Sequence, residues 1–340
     1  MAELATAITG GSAGTALPTS YEVAVAIDLS DAVDGSMLAE IKLAMRDLVD
    51  IIVWTRQSTA TARVAIVPFA DTVSPGLDLR RFTGDQRPGT CATPGCQRFS
   101  FQARDTTRCG AASPATANCA TRVFAAGHCV AERSAAEPFT DASPLVSHLP
   151  VAYPSGTGQC SGVGQALPLT ADVEALRSSI ASLANGGKSS PQLGIAWAWY
   201  MLSPEWTYLW PADSRPADYA ELALRTSGNK PKLRKIAILV QSAHETVQRC
   251  QGVDDRIIAC NAPNGTAIEQ TRRLCDAIRR TGIAIYVVGI GIEGHRELDA
   301  VLRNNCAGRE DSFYAVRSGS ELRQAFRDIA LQISPAMETN

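Results

Sequence analysis

The stretch that most constrains the fold is a short apolar run that ends in an acid, residues 21–30, YEVAVAIDLS. Its residues from Val23 to Ile27 are apolar without interruption, which is typical of a strand buried on both faces of a parallel sheet. In open α/β sheets, the carboxyl ends of such strands border the ligand crevice. Asp28 and Ser30 are therefore candidate binding residues, although an acid at this place also commonly ends a strand by accepting turn amides.

Elsewhere the chain alternates β-type apolar runs with stretches of helical periodicity. Strands are predicted at 62–69, 235–240, 283–290 and 312–316. Helices are predicted at 37–52, at 170–183 with Thr170 as the N-cap, and at 191–202, 266–280, 297–304 and 319–333. The alternation predicts an α/β fold in which a doubly wound, mostly parallel sheet is covered by helices on both faces.

Regular periodicity fades in one long interval, residues 74–164, which is rich in Thr, Ser, Ala, Pro and Cys. A loop of this length without structure of its own is uncommon in a compact domain, and cross-links would supply the missing order. We therefore predict a disulfide-rich insertion at 74–164 within a single domain that spans residues 20–338. Residues 1–19 are small and polar, and they are predicted to form a linker or N-terminal tail.

Ten cysteines are the most informative part of the composition. Their even number and wide spread favour disulfides formed in an oxidising compartment over structural zinc, which usually binds closely spaced C-x₂₋₄-C pairs. Cys275 and Cys306 flank the predicted strand 283–290, so we predict that they pair, and that Cys250 pairs with Cys260 inside one loop. The other six lie in the insertion and their pairing stays open: Cys91, Cys96, Cys109, Cys119, Cys129 and Cys160.

The net charge and the N-terminal residues help to predict the partners and the cellular location of the protein. A net charge of −2 gives no electrostatic basis for binding nucleic acid or an anionic membrane. The first eighteen residues have neither the basic nor the apolar region of a signal peptide, and no apolar run approaches the ~20 residues of a membrane helix. Because the cysteine content favours export, we expect an export signal or anchor upstream of Met1.

Enzyme signatures are weak throughout the sequence. Neither Gly162 nor Gly187 lies in a G-x-S-x-G nucleophile elbow, and the sequence has no P-loop and no G-x-G-x-x-G after the first strand. The four histidines lie in different predicted loops and suggest no common base: His128, His148, His244 and His295. A non-enzymatic role is favoured, and a zinc-dependent enzyme that uses the cysteines and histidines of the insertion is the least favoured alternative.

Eight segments outside the predicted insertion match one protein family in their order along the chain and in their amino-acid sequence. They are VAVAIDLS (23–30), RDLVDII (46–52), RVAIVPFADTV (63–73), NGGKSSPQLGIAWAWYMLSPEW (185–206), KIAILVQS (235–242), LCDAIRRTGIAIYVVGIGI (274–292), LRNNCA (302–307) and ELRQAFRDIALQI (321–333). Together they resemble the von Willebrand factor A-type (vWA) domain, and more narrowly the TadG-like proteins of tight-adherence (Flp) pilus assembly. The resemblance implies a Rossmann-like vWA fold.

The resemblance also implies a metal-ion-dependent adhesion site built from three loops. In the first loop, D-x-S-x-S, Asp28 and Ser30 match the pattern, but Ala32 stands where the second Ser belongs. Ser189 occupies the Thr position of the second loop, and Ser242 occupies the Asp position of the third. Mg²⁺ prefers near-octahedral oxygen ligands with one or two carboxylates, and only one carboxylate is kept. The resemblance therefore implies a degenerate site that binds Mg²⁺ weakly or not at all, with Asp28, Ser30 and Ser189 as its remaining ligands.

The functional expectation follows from this resemblance. We expect a non-enzymatic protein-binding module that requires no cofactor and contacts other pilus-assembly or envelope proteins. Its expected location is the bacterial cell envelope, periplasmic or surface-exposed, held to the membrane by an anchor that this sequence does not contain. The alternative is a metal-dependent adhesin that binds a host or matrix ligand through an intact cation site.

Overall fold

Strands and helices alternate along the chain, as the periodicity predicts. The computed structural model describes residues 19–53, 61–83, 96–102, 119–125, 128–133, 136–153, 160–250, 252–254 and 264–333. The strands are β1 (Ser20–Asp28), β2 (Ala62–Phe69), β3 (Cys96–Gln102), β4 (Cys119–Ala125), β5 (Leu167–Thr170), β6 (Leu233–Ser242), β7 (Arg249–Cys250), β8 (Val253–Asp254), β9 (Ala284–Ile290) and β10 (Phe313–Val316). The α-helices are α1 (Gly35–Ile52), α2 (Arg80–Thr83), α3 (Val173–Ser182), α4 (Pro191–Leu202), α5 (Ala267–Arg280), α6 (Arg296–Val301) and α7 (Gly319–Ile333), and a π-helix (Leu302–Ala307) follows α6.

The central sheet has six strands in the order β10-β9-β6-β1-β2-β5. All neighbouring pairs are parallel except β2 and β5, which are antiparallel. The predicted fold class is confirmed, since helices cover both faces of a mostly parallel sheet. Strands β2 and β5 lie on one side of β1, and β6, β9 and β10 lie on its other side. The direction in which strands are added therefore reverses between β1 and β6, and ligand crevices occur at such a switch point.

The side chains of β1 alternate between two apolar layers, as the pleat of a strand requires. Ala24 and Ala26 lie in the layer that contains α4 and α5, whereas Val23, Val25 and Ile27 lie in the layer that contains α1, α3 and α7. All five residues are completely buried, which explains the unbroken apolar run.

Helix α4 is buried on every side, because the sheet covers one face and part of the insertion covers another. Val130 and Leu149 of the insertion belong to the same apolar cluster as Trp197 and the other side chains of α4. A helix that is apolar all round is expected to be enclosed in this way. Residues 128–133 and 136–153 therefore contribute side chains to the core.

Two disulfides lie within the described residues, Cys275–Cys306 and Cys129–Cys160. The first is the predicted pair, and it joins α5 to the π-helix. The second lies within the predicted insertion and joins Cys129 to the segment that precedes β5. The predicted partner of Cys250, Cys260, lies outside the described residues, as do residues 1–18.

The antiparallel pair of β3 and β4 was not predicted, because residues 74–164 show no regular periodicity, and several shorter features were missed as well. Strand β5 was not predicted, because its four residues carry too little pattern to identify a strand. Thr170 is the last residue of β5, and the N-cap of α3 is Asp172, whose side chain accepts hydrogen bonds from Glu174 N and Ala175 N. Among the described helices, none combines the length and apolar character needed to cross a bilayer.

Candidate functional site

Three loops meet above the switch point of the sheet. Asp28 ends β1 and Ser30 follows it, Ser189 precedes α4, and Gln241 and Ser242 end β6. Asp28 and Gln241 both point toward the α4 layer, since Ala26 and Leu239, two residues earlier in their strands, lie in that layer. The four polar residues that the family pattern selects, Asp28, Ser30, Ser189 and Ser242, are thereby brought together.

The Asp28 carboxylate is the centre of this cluster. Its Oδ2 accepts hydrogen bonds from Ser242 Oγ (2.6 Å), Gln241 Nε2 (2.7 Å), Ser189 Oγ (2.9 Å) and Ser242 N (3.2 Å). Its Oδ1 accepts one from Ser30 N (3.0 Å), and Ser30 Oγ lies 3.2 Å from Ser242 Oγ. One negative group is thus held by five donors from three loops. Asp28 and the four residues that donate to it are called the Asp28 cluster: Asp28, Ser30, Ser189, Gln241 and Ser242.

Gln241 is the member that the sequence analysis missed. Its Nε2 lies within hydrogen-bonding distance of Asp28 Oδ2, Ser189 Oγ (2.8 Å) and Ser242 O (2.9 Å), which share its two N–H donors. The amide therefore fills the space between the carboxylate and the second loop. The available signal was its place as the first polar residue after the apolar run of β6, beside Ser242.

Burial sets the electrostatics of the cluster. All five members are at most 2% exposed. Burial raises the pKa of Asp28 above its usual value, and the hydrogen bonds from Ser242, Ser30 and Ser189 oppose that rise by stabilising the carboxylate. The arrangement ties the loops together through one carboxylate that has no contact with solvent.

The other acids and the alanine of the first loop lie outside this cluster. Ala32 is exposed in the turn after β1 and brings no side-chain oxygen. Asp31 is exposed as well. Asp34 is the N-cap of α1, where its Oδ1 accepts hydrogen bonds from Met37 N (2.8 Å) and Ser36 Oγ (2.6 Å). The Asp28 cluster therefore contains one carboxylate.

A chain of buried hydrogen bonds leads from the cluster into the insertion. Ser189 O accepts from Val247 N (2.9 Å), and Val247 O accepts from Gln192 Nε2 (2.9 Å). Gln192 Nε2 also lies 3.3 Å from Glu132 Oε1, which accepts the backbone N–H of Arg249 as well. The insertion thus supports the loop after β6 through Glu132, a residue that no sequence pattern marks.

Arg249 continues this network to the loop after β2. Its Nη2 forms an ion pair with Asp71 Oδ2 (2.5 Å), and its Nε donates to Asp71 O (2.9 Å). Glu132 Oε2 is buried and has no hydrogen-bond partner among the described residues. Burial raises the pKa of Glu132, and the Arg249 N–H opposes the rise.

Replacing Glu132 by glutamine is expected to flatten the pH dependence of stability. A carboxyl whose pKa is higher in the folded state than in the unfolded state stabilises the fold at low pH, and that contribution is lost as the pH rises through the folded-state pKa. Urea unfolding of the wild type should therefore give a free energy that falls as the pH rises above the ordinary Glu range, and E132Q should show a smaller fall. Asp28 contributes with the same sign and remains in the variant.

The surface variant E310Q is the matched control and is expected to follow the wild type, since Glu310 is exposed. Equal pH dependence of E132Q and the wild type would contradict this assignment.

No protein-family model and no curated protein matches the chain. Among solved structures, it is similar to the vWF domain of the type V pili tip protein Mfa5 from Porphyromonas gingivalis, with 10% identity and a TM-score of 0.46 over 95% of this chain and 97% of that chain. It is also similar to the pilus adhesin SpaC from Lactobacillus rhamnosus GG, with 9% identity and a TM-score of 0.43 over 93% of this chain and 31% of that chain.

A third similar structure is proximal thread matrix protein 1 from the mussel byssus, described with a zinc-occupied MIDAS motif, the abbreviation for the metal-ion-dependent adhesion site. The identity is 11% and the TM-score 0.42, over 93% of this chain and 48% of that chain. This chain thus spans less than half the length of two of these three proteins. At such identities and scores, the likenesses carry no argument for the function of this chain. In the described part of the chain, no group of three or more His, Cys, Asp or Glu side chains is placed to hold a metal ion.

Proposed function

We propose that this chain is a vWA-type, TadG-like protein-binding module whose recognition surface is the loop end of the sheet around the Asp28 cluster. In this proposal the metal-ion-dependent adhesion site is degenerate, and hydrogen bonds within the protein replace the cation. The module is non-enzymatic, and it binds other pilus-assembly or envelope proteins.

The single observation that carries the proposal is the full set of donors around Asp28. A divalent cation needs carboxylate and hydroxyl oxygens that are free to coordinate it. Here Asp28 Oδ2 already accepts four hydrogen bonds, and one of them comes from the Gln241 amide at 2.7 Å. Ser242 provides a hydroxyl where the pattern has a second carboxylate, so the charge of a divalent ion would be only half compensated. These residues do not fit Mg²⁺.

The rim of the same loop end supports contact with a protein. Asp31, Lys188 and Glu245 come from the three loops that hold the cluster; Asp31 and Glu245 are exposed, and Lys188 is half-buried. Lys188 Nζ lies 3.5 Å from Glu245 Oε2, with side-chain exposures of 37% and 61%. Exposed charges of both signs around a rigid base give a surface that selects partners by charge complementarity.

The proposed location is the bacterial envelope outside the cytoplasm, where a membrane anchor would hold the module. The two disulfides within the described residues support this compartment, because disulfides persist in oxidising environments and are rare in the cytosol.

A second candidate function is a metal-dependent adhesin for a host or matrix ligand. It is favoured by one observation, the convergence of Asp28, Ser30 and Ser189, which the pattern assigns as ligands. That function requires binding that depends on a divalent cation, whereas the proposed module binds its partner equally well in a chelator.

Removal of the rim charges tests the proposed surface. The double variant K188A/E245A, made in the bacterium that encodes this chain, is expected to reduce the number of assembled surface pili severalfold while the purified domain keeps its melting temperature, since exposed ion pairs contribute only ~0–1 kcal/mol to stability. Pili are counted by electron microscopy.

The matched control is K232A/E221A, which removes another exposed ion pair (3.1 Å) before the amino end of β6. Normal piliation is expected for this control. Normal piliation of K188A/E245A and K188A/E245A/D31A would contradict the proposed surface.

A further inference from the structure

A second concave feature lies at the opposite end of the sheet from the Asp28 cluster. It is a groove of about 440 Å³ whose floor is formed by residues 283–286 at the start of β9. Strand β10 pairs with β9 only from Val287 onward, whereas β6 pairs with β9 from Ala284. Within the described residues, 284–286 therefore have a strand neighbour on one side only. The groove is the place that a further strand beside β9 would occupy.

The walls of the groove come from the two helical layers that cover the sheet. Arg279 and Ala307 line it from the layer of α5 and the π-helix, and Arg234 and Gln332 line it from the layer of α7. Arg309, Asp311 and Ser312, just before β10, close one end. An open sheet edge between two side-chain walls is the geometry in which an extended polypeptide adds to a sheet.

The charge of the lining is strongly positive for a chain of net charge −2. Three guanidinium groups and one carboxylate line the groove, which gives a local excess of two positive charges. We call it the arginine groove, after Arg234, Arg279 and Arg309. Such an excess at an open strand edge attracts an acidic segment and repels a basic one.

The three arginines are held in place by bonds that leave donors free. Arg279 Nη1 donates to Asn305 O (3.1 Å) and packs on Gly308, where a Cβ would lie 2.4 Å from the guanidinium. Arg309 pairs with Asp311 through two bonds of 2.5 and 3.0 Å. Arg234 Nη1 lies 3.4 Å from Gln332 O. A guanidinium has five N–H donors, so each retains capacity for a carboxylate.

We propose that the arginine groove binds an extended, acidic segment of a partner polypeptide, which adds as a short strand to residues 284–286 of β9. Main-chain hydrogen bonds to the open edge provide register, and the arginines select acidic side chains. This site shares no residue with the Asp28 cluster, so it does not depend on the function proposed for the loop end.

Binding of short dye-labelled peptides, followed by fluorescence anisotropy, tests the proposal. The probe is a blocked peptide of alternating glutamate and valine, and it is compared with its backbone N-methylated analogue and with a lysine–valine peptide. We expect saturable binding of the glutamate–valine peptide alone, because only that peptide combines acidic side chains with free backbone N–H groups.

The variant R279Q/R309Q is expected to weaken that binding about fivefold or more, since it removes two of the three cations. R296Q is the matched control, because Arg296 is exposed at the start of α6, away from the groove, and it should bind as the wild type does. Equal binding of the N-methylated peptide, unchanged affinity in R279Q/R309Q with an unchanged melting temperature, or no binding of the glutamate–valine peptide would each overturn the proposal.

Discussion

Replacing Lys235 by methionine is expected to lower the free energy of unfolding by about 3–5 kcal/mol, the cost of breaking a buried ion pair by removing one partner. Lys235 is 1% exposed, and its Nζ lies 2.7 Å from Glu22 Oε2. The same Nζ donates to Leu202 O (2.7 Å) and Ala217 O (2.6 Å). The ammonium therefore joins β1, β6, the end of α4 and the segment after it, and its loss leaves both carbonyl oxygens and the carboxylate without this donor.

Urea unfolding at neutral pH measures the effect. The double variant E22Q/K235M should recover part of the lost stability, because the buried carboxylate is then neutral as well. Glu22 also pairs with Arg63 (2.5 Å), so recovery is expected to be incomplete. K230M, at an exposed lysine three residues before β6, is the matched control and should stay within about 0.5 kcal/mol of the wild type. A loss below about 1 kcal/mol in K235M would contradict the account.

Replacing Arg133 by methionine is expected to cost about 3 kcal/mol or more and to release the insertion from α4. The Arg133 guanidinium is 3% exposed and donates to Ser147 O (3.0 and 3.2 Å), Ala142 O (2.5 Å) and Thr140 O (3.3 Å). Its Cζ also lies 5.1 Å from the centre of the Tyr200 ring. Methionine keeps the apolar stem but leaves the carbonyl groups of buried Ser147 and of half-buried Thr140 and Ala142 without their charged donor, and a buried group that loses its partner costs ~1–3 kcal/mol.

The readouts are urea unfolding and the rate of proteolytic cleavage within residues 136–153. R133K should recover little, since an ammonium cannot reproduce the planar fork that reaches several carbonyl oxygens at once. R296M, at an exposed arginine, is the control and should change neither readout. Slow, wild-type cleavage of R133M would show that the guanidinium does not hold the insertion.

The fold was predictable where burial alone decides it. The apolar run of β1 has to be enclosed on both faces, and the unbroken apolar sequence of α4 requires cover on all sides. The sequence does not reveal what covers α4, because residues 128–133 and 136–153 lack periodicity and reach the helix through individual contacts such as that of Arg133 with Tyr200. Strand β5 escaped prediction because its four residues are held mainly by pairing with β2.

The candidate site was predictable only as far as a family pattern marks positions. The pattern selects Asp28, Ser30, Ser189 and Ser242, and the structure brings them together. It assigns no role to Gln241 or Glu132, because their importance comes from hydrogen bonds between segments far apart in sequence. Gln241 donates to Asp28 across 213 residues, and Glu132 accepts from Arg249 across 117. Such contacts are properties of the folded chain and leave no local signature.

Calorimetric titration with Mg²⁺ and with Mn²⁺ tests the central claim most directly, since the claim is that internal donors have replaced the cation at Asp28. The positive control is Q241T/S242D, which removes the amide and adds a second carboxylate, and it is expected to gain saturable binding. For the wild type, the account predicts no saturable heat at micromolar concentrations of either ion. A micromolar isotherm in the wild type that disappears in D28N would contradict it.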